Sequence, residues 1–185
     1  SGKKWGFFSL SAAGFFKCLI LLKFCPKRLR HARFSCVFVQ VCAVFQGTSL
    51  LSLDAKGRMT MPSRHREALA LSCALEVTVT RHPDGCLLIY PRNRWEKKRE
   101  AIAALPYSAR FLQRIVLGSA VDLTVDKAGR VLIPADLRTL AGLEKEVALV
   151  GMGEHFELWD AKRLAKLEEE AAAAGFEAAA GDFQF

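Results

Sequence analysis

The sequence predicts an α+β fold, mainly β, built from two tandem copies of one small unit with flanking helices. Residues 53–66 (LDAKGRMTMPSRHR) recur at residues 125–138 as VDKAGRVLIPADLR. A strand-turn-strand pattern at residues 77–91 recurs at residues 147–161, and a helical pattern follows each of these hairpins. One such unit is too small to bury its apolar face well alone, so we expect the two copies to pack together as one pseudo-twofold body.

The first copy begins with an alternating strand at residues 49–53 and a tight turn, in which Asp54 binds backbone N–H groups and Gly57 accepts positive φ. A short strand at residues 58–61 ends at proline, and a helix follows over residues 63–71. After the hairpin, apolar stripes predict helices around residues 95–105 and 111–116, before a break at glycine.

The second copy repeats this order, with strands at residues 121–125 and 130–133, a helix at 135–141, the hairpin and a final helix at 163–175. Five positions coincide between the copies: Asp54 with Asp126, Gly57 with Gly129, Arg58 with Arg130, Pro62 with Pro134, and Arg66 with Arg138. Trp95 and Trp159 are expected in the core or at an interface.

Positive charge is unevenly distributed along the chain, whose net charge is +8. Residues 1–43 contain eight Lys and Arg and no Asp or Glu, so the other residues are neutral overall, with 19 basic and 19 acidic side chains. Residues 54–138 contain 15 basic and nine acidic residues, whereas residues 139–185 contain four and ten. This split can focus positive potential on one surface, and a solvated surface of mixed charge explains it equally well.

Residues 1–43 differ from the rest of the chain, because aromatic, cysteine and basic residues alternate there without helical or strand periodicity. The longest uncharged run has 12 residues, shorter than the ~20 that span a bilayer, and basic clusters interrupt any signal-peptide pattern. No methionine precedes Met59. We therefore expect this extension to be translated upstream sequence outside the native fold, with the natural protein starting at Val44.

The repeated D-x-x-G-R-x-x-x-P-x-x-x-R motif resembles the SpoVT/AbrB-like half-domain, and its tandem arrangement over residues 44–166 resembles the MraZ family of transcriptional regulators. The segments FQGTSLLSLDAKGR, RFLQRIVLGSA, AGLEKEVALVG and FELWD carry the same resemblance. The sequence departs from the family pattern at His65, where an aromatic or aliphatic residue is usual, at Gln46, where a basic residue is usual, and at Leu164, often Trp.

The resemblance implies a swapped-hairpin, AbrB-like β-barrel with repeats at residues 48–94 and 120–163, a helical linker at 95–119 and an acidic tail at 164–185. It also implies a ring-like homo-oligomer, cytoplasmic and associated with the nucleoid. That assembly would bind double-stranded DNA at short direct repeats in the promoter of its own division and cell-wall operon. No membrane association is expected.

The DNA-binding residues implied by the resemblance surround the two turns. An arginine at a strand start can reach guanine O6 and N7 bidentately, or a phosphate, and this role is assigned to Arg58 and Arg130. Other cations would attract phosphates: Lys56, Lys127, Arg64, Arg66 and Arg138. The residues expected to shape the turns and hold the arginines are Asp54, Gly57, Asp126 and Gly129. Simple intramolecular pairing of each arginine with its aspartate is the competing interpretation.

Other function classes find little support in the sequence. No nucleophile with a base, phosphate loop or metal-ligand spacing is present, so we expect neither an enzyme nor a cofactor. The alternative is an antitoxin-like protein-interaction module, whose acidic segment at residues 168–170 would bind a partner protein.

Overall fold

A computed structural model describes residues 44–174, so the predictions for residues 1–43 and for the tail beyond residue 174 lie outside the described residues. The first copy comprises β1 (Phe45–Ser52), β2 (Arg58–Thr60), α1 (Ser63–Cys73), β3 (Glu76–Arg81) and β4 (Leu87–Pro91). The helices α2 (Arg92–Ala103) and α3 (Arg110–Gly118) follow, with a 3-10 turn at Tyr107–Ala109 between them. The second copy comprises β5 (Val121–Thr124), β6 (Arg130–Leu132), α4 (Ala135–Leu140), β7 (Glu146–Gly153), β8 (Phe156–Asp160) and α5 (Ala161–Ala174).

The predicted elements are present in the predicted order, and β1, α2 and α5 start two to four residues earlier than predicted. β1 begins at Phe45 rather than at residue 49, because its whole length pairs with β7, from Phe45 opposite Gly153 to Ser52 opposite Glu146. α5 begins two residues earlier than predicted. The Asp160 carboxylate accepts the backbone N–H groups of Lys162 (3.2 Å) and Arg163 (3.1 Å), which satisfies the first turn of that helix.

Six strands form one antiparallel sheet in the order β1-β7-β8-β4-β3-β5. The order is symmetric about the central β4–β8 pair. The first strand of each copy therefore pairs with the other copy: β1 with β7, and β5 with β3. No pairing joins the edge strands β1 and β5 in the described part of the chain, so the sheet is open and does not close into the β-barrel that the resemblance implies.

The remaining strands, β2 and β6, form a separate two-stranded antiparallel ribbon with one strand from each copy. Met59 and Val131 lie opposite each other at its centre and are fully buried. They pack with buried residues of the sheet and of helices α1 and α4, such as Val79, Leu149 and Leu137. The ribbon is thus held by a core to which both copies contribute.

A second apolar cluster lies around helices α2 and α3. Trp95 and Trp159 are buried in it, at 3% and 6% exposure, so their prediction as packing residues is confirmed. They pack with Tyr90 and Ile102 among others. This cluster fixes the helical segment between the copies against the centre of the sheet.

Candidate nucleic-acid interface

The two D-x-x-G-R turns have the same hydrogen-bonded geometry. In the first, Asp54 Oδ1 accepts the backbone N–H groups of Lys56 and Arg58, both at 2.9 Å. The Gly57 N–H donates to the Asp54 carbonyl at 2.8 Å, and Gly57 has a φ of +79°. In the second turn, Asp126 Oδ1 accepts the N–H of Arg130 at 2.8 Å. The sequence motif therefore builds one turn twice.

The arginine after each turn is held by the aspartate that starts it. Arg58 Nε donates to Asp54 Oδ2 at 2.6 Å, and Arg130 Nε donates to Asp126 Oδ2 at 2.9 Å. The intramolecular pairing considered from the sequence is therefore present. It uses only Nε, and the terminal Nη groups of both arginines make no hydrogen bond to any described residue. Since a guanidinium carries five N–H donors, the aspartate fixes its orientation and leaves its outer edge available.

The two arginines lie on the outer face of the β2–β6 ribbon. Successive strand residues point to opposite faces, and the fully buried Met59 and Val131 mark the inner face. In the register, Arg58 lies opposite Leu132 and Arg130 lies opposite Thr60. The turns themselves lie at opposite ends of this short ribbon. Arg58 and Arg130 are diagonal neighbours in it, and ordinary sheet geometry places their backbone positions about 7–8 Å apart.

The turn aspartates are stabilised in their charged form. For Asp54, the backbone N–H of Arg58 is the largest influence that lowers the pKa below its usual 3.8, and the Arg58 side chain lowers it further. For Asp126, the backbone N–H of Arg130 has the same effect on the pKa. Both carboxylates are therefore ionised at neutral pH, and each restrains its arginine by charge-assisted hydrogen bonds.

The other predicted phosphate-binding residues fall into two groups. Lys56 and Lys127 lie in the turns with exposed side chains, and Arg64 is exposed on α1. Arg64 is oriented by its neighbours: its Nη2 donates to Ser49 Oγ at 2.7 Å, and its Nε donates to His65 Nε2 at 3.0 Å. These three cations can approach a ligand.

Arg66 and Arg138 are partly buried and lie against the turns rather than projecting into solvent. The guanidinium of Arg138 packs against Gly57, and that of Arg66 packs against Gly129, each in the opposite copy. Sequence reasoning missed this packing, since the motif alone does not say which copy an arginine faces. It also missed Thr60, which shares the ribbon's outer face and could have been found from strand alternation.

Among residues 44–174, the remaining titratable groups do not form a second site of familiar chemistry. His65 is buried against the edges of the Phe45 and Phe156 rings, with ring centroids at 5.8 Å and 4.9 Å. Burial, and then the charge of Arg64, lowers the pKa of His65. Within residues 44–174, no group of three or more His, Cys, Asp or Glu side chains could hold a metal ion. No helix in that range is long and apolar enough to cross a membrane.

Comparison with known proteins places the chain in a family. The model of the family described as "MraZ protein, putative antitoxin-like" matches residues 44–115 and again residues 116–184. The chain is 58% identical over 142 residues to a protein of Herminiimonas arsenicoxydans, 56% to one of Janthinobacterium and 54% to one of Bordetella pertussis. Each of these alignments covers 77% of this chain and 100% of the relative, and each relative is named "Transcriptional regulator MraZ". Two matches of the family model and full-length alignment to these relatives show that the chain belongs to the MraZ family.

Proposed function

We propose that the protein is a sequence-specific DNA-binding transcriptional regulator. The observation that carries the proposal is the outer face of the β2–β6 ribbon, which presents two guanidinium groups held by equivalent turns. A two-stranded ribbon fits the major groove of B-form DNA. The names of the relatives support the same function.

Arg58 and Arg130 are the base-reading residues in this proposal. Each aspartate binds the Nε of its arginine, so the two Nη groups of that arginine project together. Their spacing matches that of guanine O6 and N7, or of two phosphate oxygens. The backbone positions of the two arginines, about 7–8 Å apart, span roughly two base steps at 3.4 Å each. Lys56, Lys127 and Arg64 add phosphate attraction, and the charges of Arg66 and Arg138 raise the positive potential at the same turns.

The finer features that the resemblance implies are part of this proposal. The target is short direct repeats in the promoter of the protein's own operon, and the particle is a ring-like homo-oligomer of cytoplasmic, nucleoid-associated chains. The described part of each chain carries one ribbon, so an assembly could engage several repeats at once and gain affinity from their proximity. The exchange of β1 and β5 between the copies supports the swapped-hairpin arrangement.

The test is fluorescence anisotropy with a labelled duplex from the protein's own upstream region and a shuffled duplex of the same composition. We expect tighter binding to the native duplex, with a steep loss as salt rises. Arg58→Ala and Arg130→Ala should each weaken binding to it by about 1–3 kcal/mol. Arg99→Ala removes an exposed charge from α2, outside the ribbon, and should retain sequence preference. Equal affinity of wild type and the Arg58→Ala/Arg130→Ala variant would refute the site.

An antitoxin-like interaction module is the second candidate, favoured by the wording of the family description and by the exposed acidic residues Glu168, Glu169 and Glu170 on α5. It predicts no preference between native and shuffled duplexes. It also predicts loss of a protein complex, detected by co-purification from the native organism, when these glutamates are replaced by glutamine. Intact DNA binding in that triple variant is expected if the ribbon is the functional surface.

A further inference from the structure

Each turn glycine is covered by an arginine from the other copy. A Cβ atom placed on Gly57 would lie 2.6 Å from both Cζ and Nε of Arg138, and one placed on Gly129 would lie 2.6 Å from Nη1 of Arg66. Carbon atoms in favourable contact are about 3.5–4.0 Å apart. The guanidinium groups therefore occupy the space that a side chain at either glycine would fill.

The same glycines are joined to the opposite copy through the backbone. The Met61 N–H donates to the Gly129 carbonyl at 2.8 Å, and the Ile133 N–H donates to the Gly57 carbonyl at 3.0 Å. Each turn thus has two contacts with the other copy, one from the residue that follows a ribbon strand and one from an arginine. Both contacts occur twice, at equivalent positions of the two copies, so they follow from the repeated motif.

The two arginines are anchored differently from surface phosphate ligands. Neither forms a salt bridge with a carboxylate of residues 44–174. Arg138 Nε donates to the Ile133 carbonyl at 3.2 Å, and Arg66 Nε is buried without a hydrogen-bond partner among the described residues. A buried donor held in this way is retained by packing of the planar guanidinium against the turn, which lysine cannot reproduce.

The geometry points to Arg66 and Arg138 as positioning residues, each of which fixes the DNA-contacting turn of the opposite copy. This inference rests on the proposed function for its consequence in DNA binding. Arg138 holds the turn that orients Arg58, and Arg66 holds the turn that orients Arg130. The positioning therefore crosses between the copies: an arginine on the helix of one copy orients the DNA-contacting arginine of the other.

The first test needs no DNA. Hydrogen–deuterium exchange of the turn amides is measured in the intact chain for Arg66→Met, Arg66→Lys and the two equivalent Arg138 variants. Arg66→Met should speed exchange at Gly129 and Arg130 by about tenfold and leave Gly57 and Arg58 unchanged; Arg138→Met should do the reverse. The lysine variants keep the positive charge and serve as a second pair of substitutions in case a methionine variant does not fold. Circular dichroism checks that each variant is folded. Faster exchange in the arginine's own copy, or equally in both, overturns the inference.

The second test measures coupling in DNA binding by double-mutant cycles. Arg66→Met and Arg130→Ala should combine to much less than the product of their separate fold-losses, whereas Arg66→Met and Arg58→Ala should multiply. Arg66→Lys should lose affinity as Arg66→Met does. If Arg66→Lys retains affinity and Arg66→Met only lowers the salt slope by about one, Arg66 is a phosphate contact and the inference is wrong.

The two tests separate the inference from the proposed function. Crossed exchange together with unaltered DNA binding by Arg58→Ala and Arg130→Ala would leave the positioning role standing and refute the ribbon as the DNA site. Arg99→Ala is the matched control in both tests, because it removes an arginine from a helix of the same chain without touching either turn.

Discussion

Replacing Gly57 by alanine tests the packing of the first turn directly. An L-residue pays about 1–2 kcal/mol to hold the left-handed conformation that Gly57 adopts at a φ of +79°. The new Cβ would lie 2.6 Å from the Arg138 guanidinium, which must move and give up its hydrogen bond to the Ile133 carbonyl. Such a bond contributes about 0.5–1.5 kcal/mol. We therefore expect Gly57→Ala to lower the free energy of unfolding by about 2–3 kcal/mol.

Gly142→Ala is the matched control for this substitution. Gly142 also has positive φ, at +61°, but a Cβ there would meet nothing within 4 Å. Its alanine variant should show the conformational cost alone, about 1–2 kcal/mol. The difference between the two variants, about 1 kcal/mol, measures the contact with Arg138.

Urea unfolding followed by circular dichroism gives these values, provided that the slope with denaturant is the same for all variants. The double variant Gly57→Ala/Arg138→Ala should be less destabilised than the sum of its single variants, since removing the guanidinium relieves the collision. If Gly57→Ala and Gly142→Ala are equally stable, or the double variant is strictly additive, the packing argument is refuted.

Three further predictions follow from the site and the core. The pKa of His65 is lowered in the folded state, so the unfolded chain binds a proton at a higher pH than the folded chain does, and the free energy of unfolding falls as pH drops below about 6.5. His65→Phe should flatten this dependence in urea titrations. The part that remains is due to His155, whose pKa burial also lowers. Because the pKa of Asp54 is lowered in the folded state, its ionised carboxylate stabilises the fold above pH 3.8, and this contribution is lost as pH falls through the folded-state pKa. Asp54→Asn should remove that acid-sensitive component of the melting temperature. An unchanged dependence of the melting temperature on acid pH would contradict this prediction. Burial raises the pKa of the Cys86 thiol to about 12, so at pH 8 only about one molecule in ten thousand carries the thiolate; peptide mapping after iodoacetamide treatment should find Cys86 unmodified until the protein is unfolded.

Local structure was largely predictable from the sequence. The turns follow from Asp and Gly at fixed spacing, and the hairpins follow from apolar alternation around turn residues. Pro62 and Pro134 lie just before α1 and α4, as proline's preference for helix starts predicts. These features depend on neighbours within a few residues, so the sequence of a single chain is enough to predict them.

The pairing of strands between the copies was not predictable in this way. β3 and β7 carry similar apolar patterns, so β1 could pair with either by local criteria. The choice is made by the core, in which both copies bury side chains together. The same limit explains the site: Arg58 and Arg130 are visible as motif residues, whereas the packing of Arg66 and Arg138 on distant glycines depends on the tertiary fold.

Fusing the two halves into one chain lets equivalent positions differ, as no pair of identical subunits could. Position 65 is histidine and its counterpart 137 is leucine; position 64 is arginine and its counterpart 136 is aspartate. The helices α1 and α4 therefore carry unlike side chains, and unlike charge, at equivalent positions. An exact twofold particle matches a palindrome, whereas a particle with two unlike halves has no exact twofold axis. If the ribbon binds DNA as proposed, direct repeats match such a molecule better than a palindrome does.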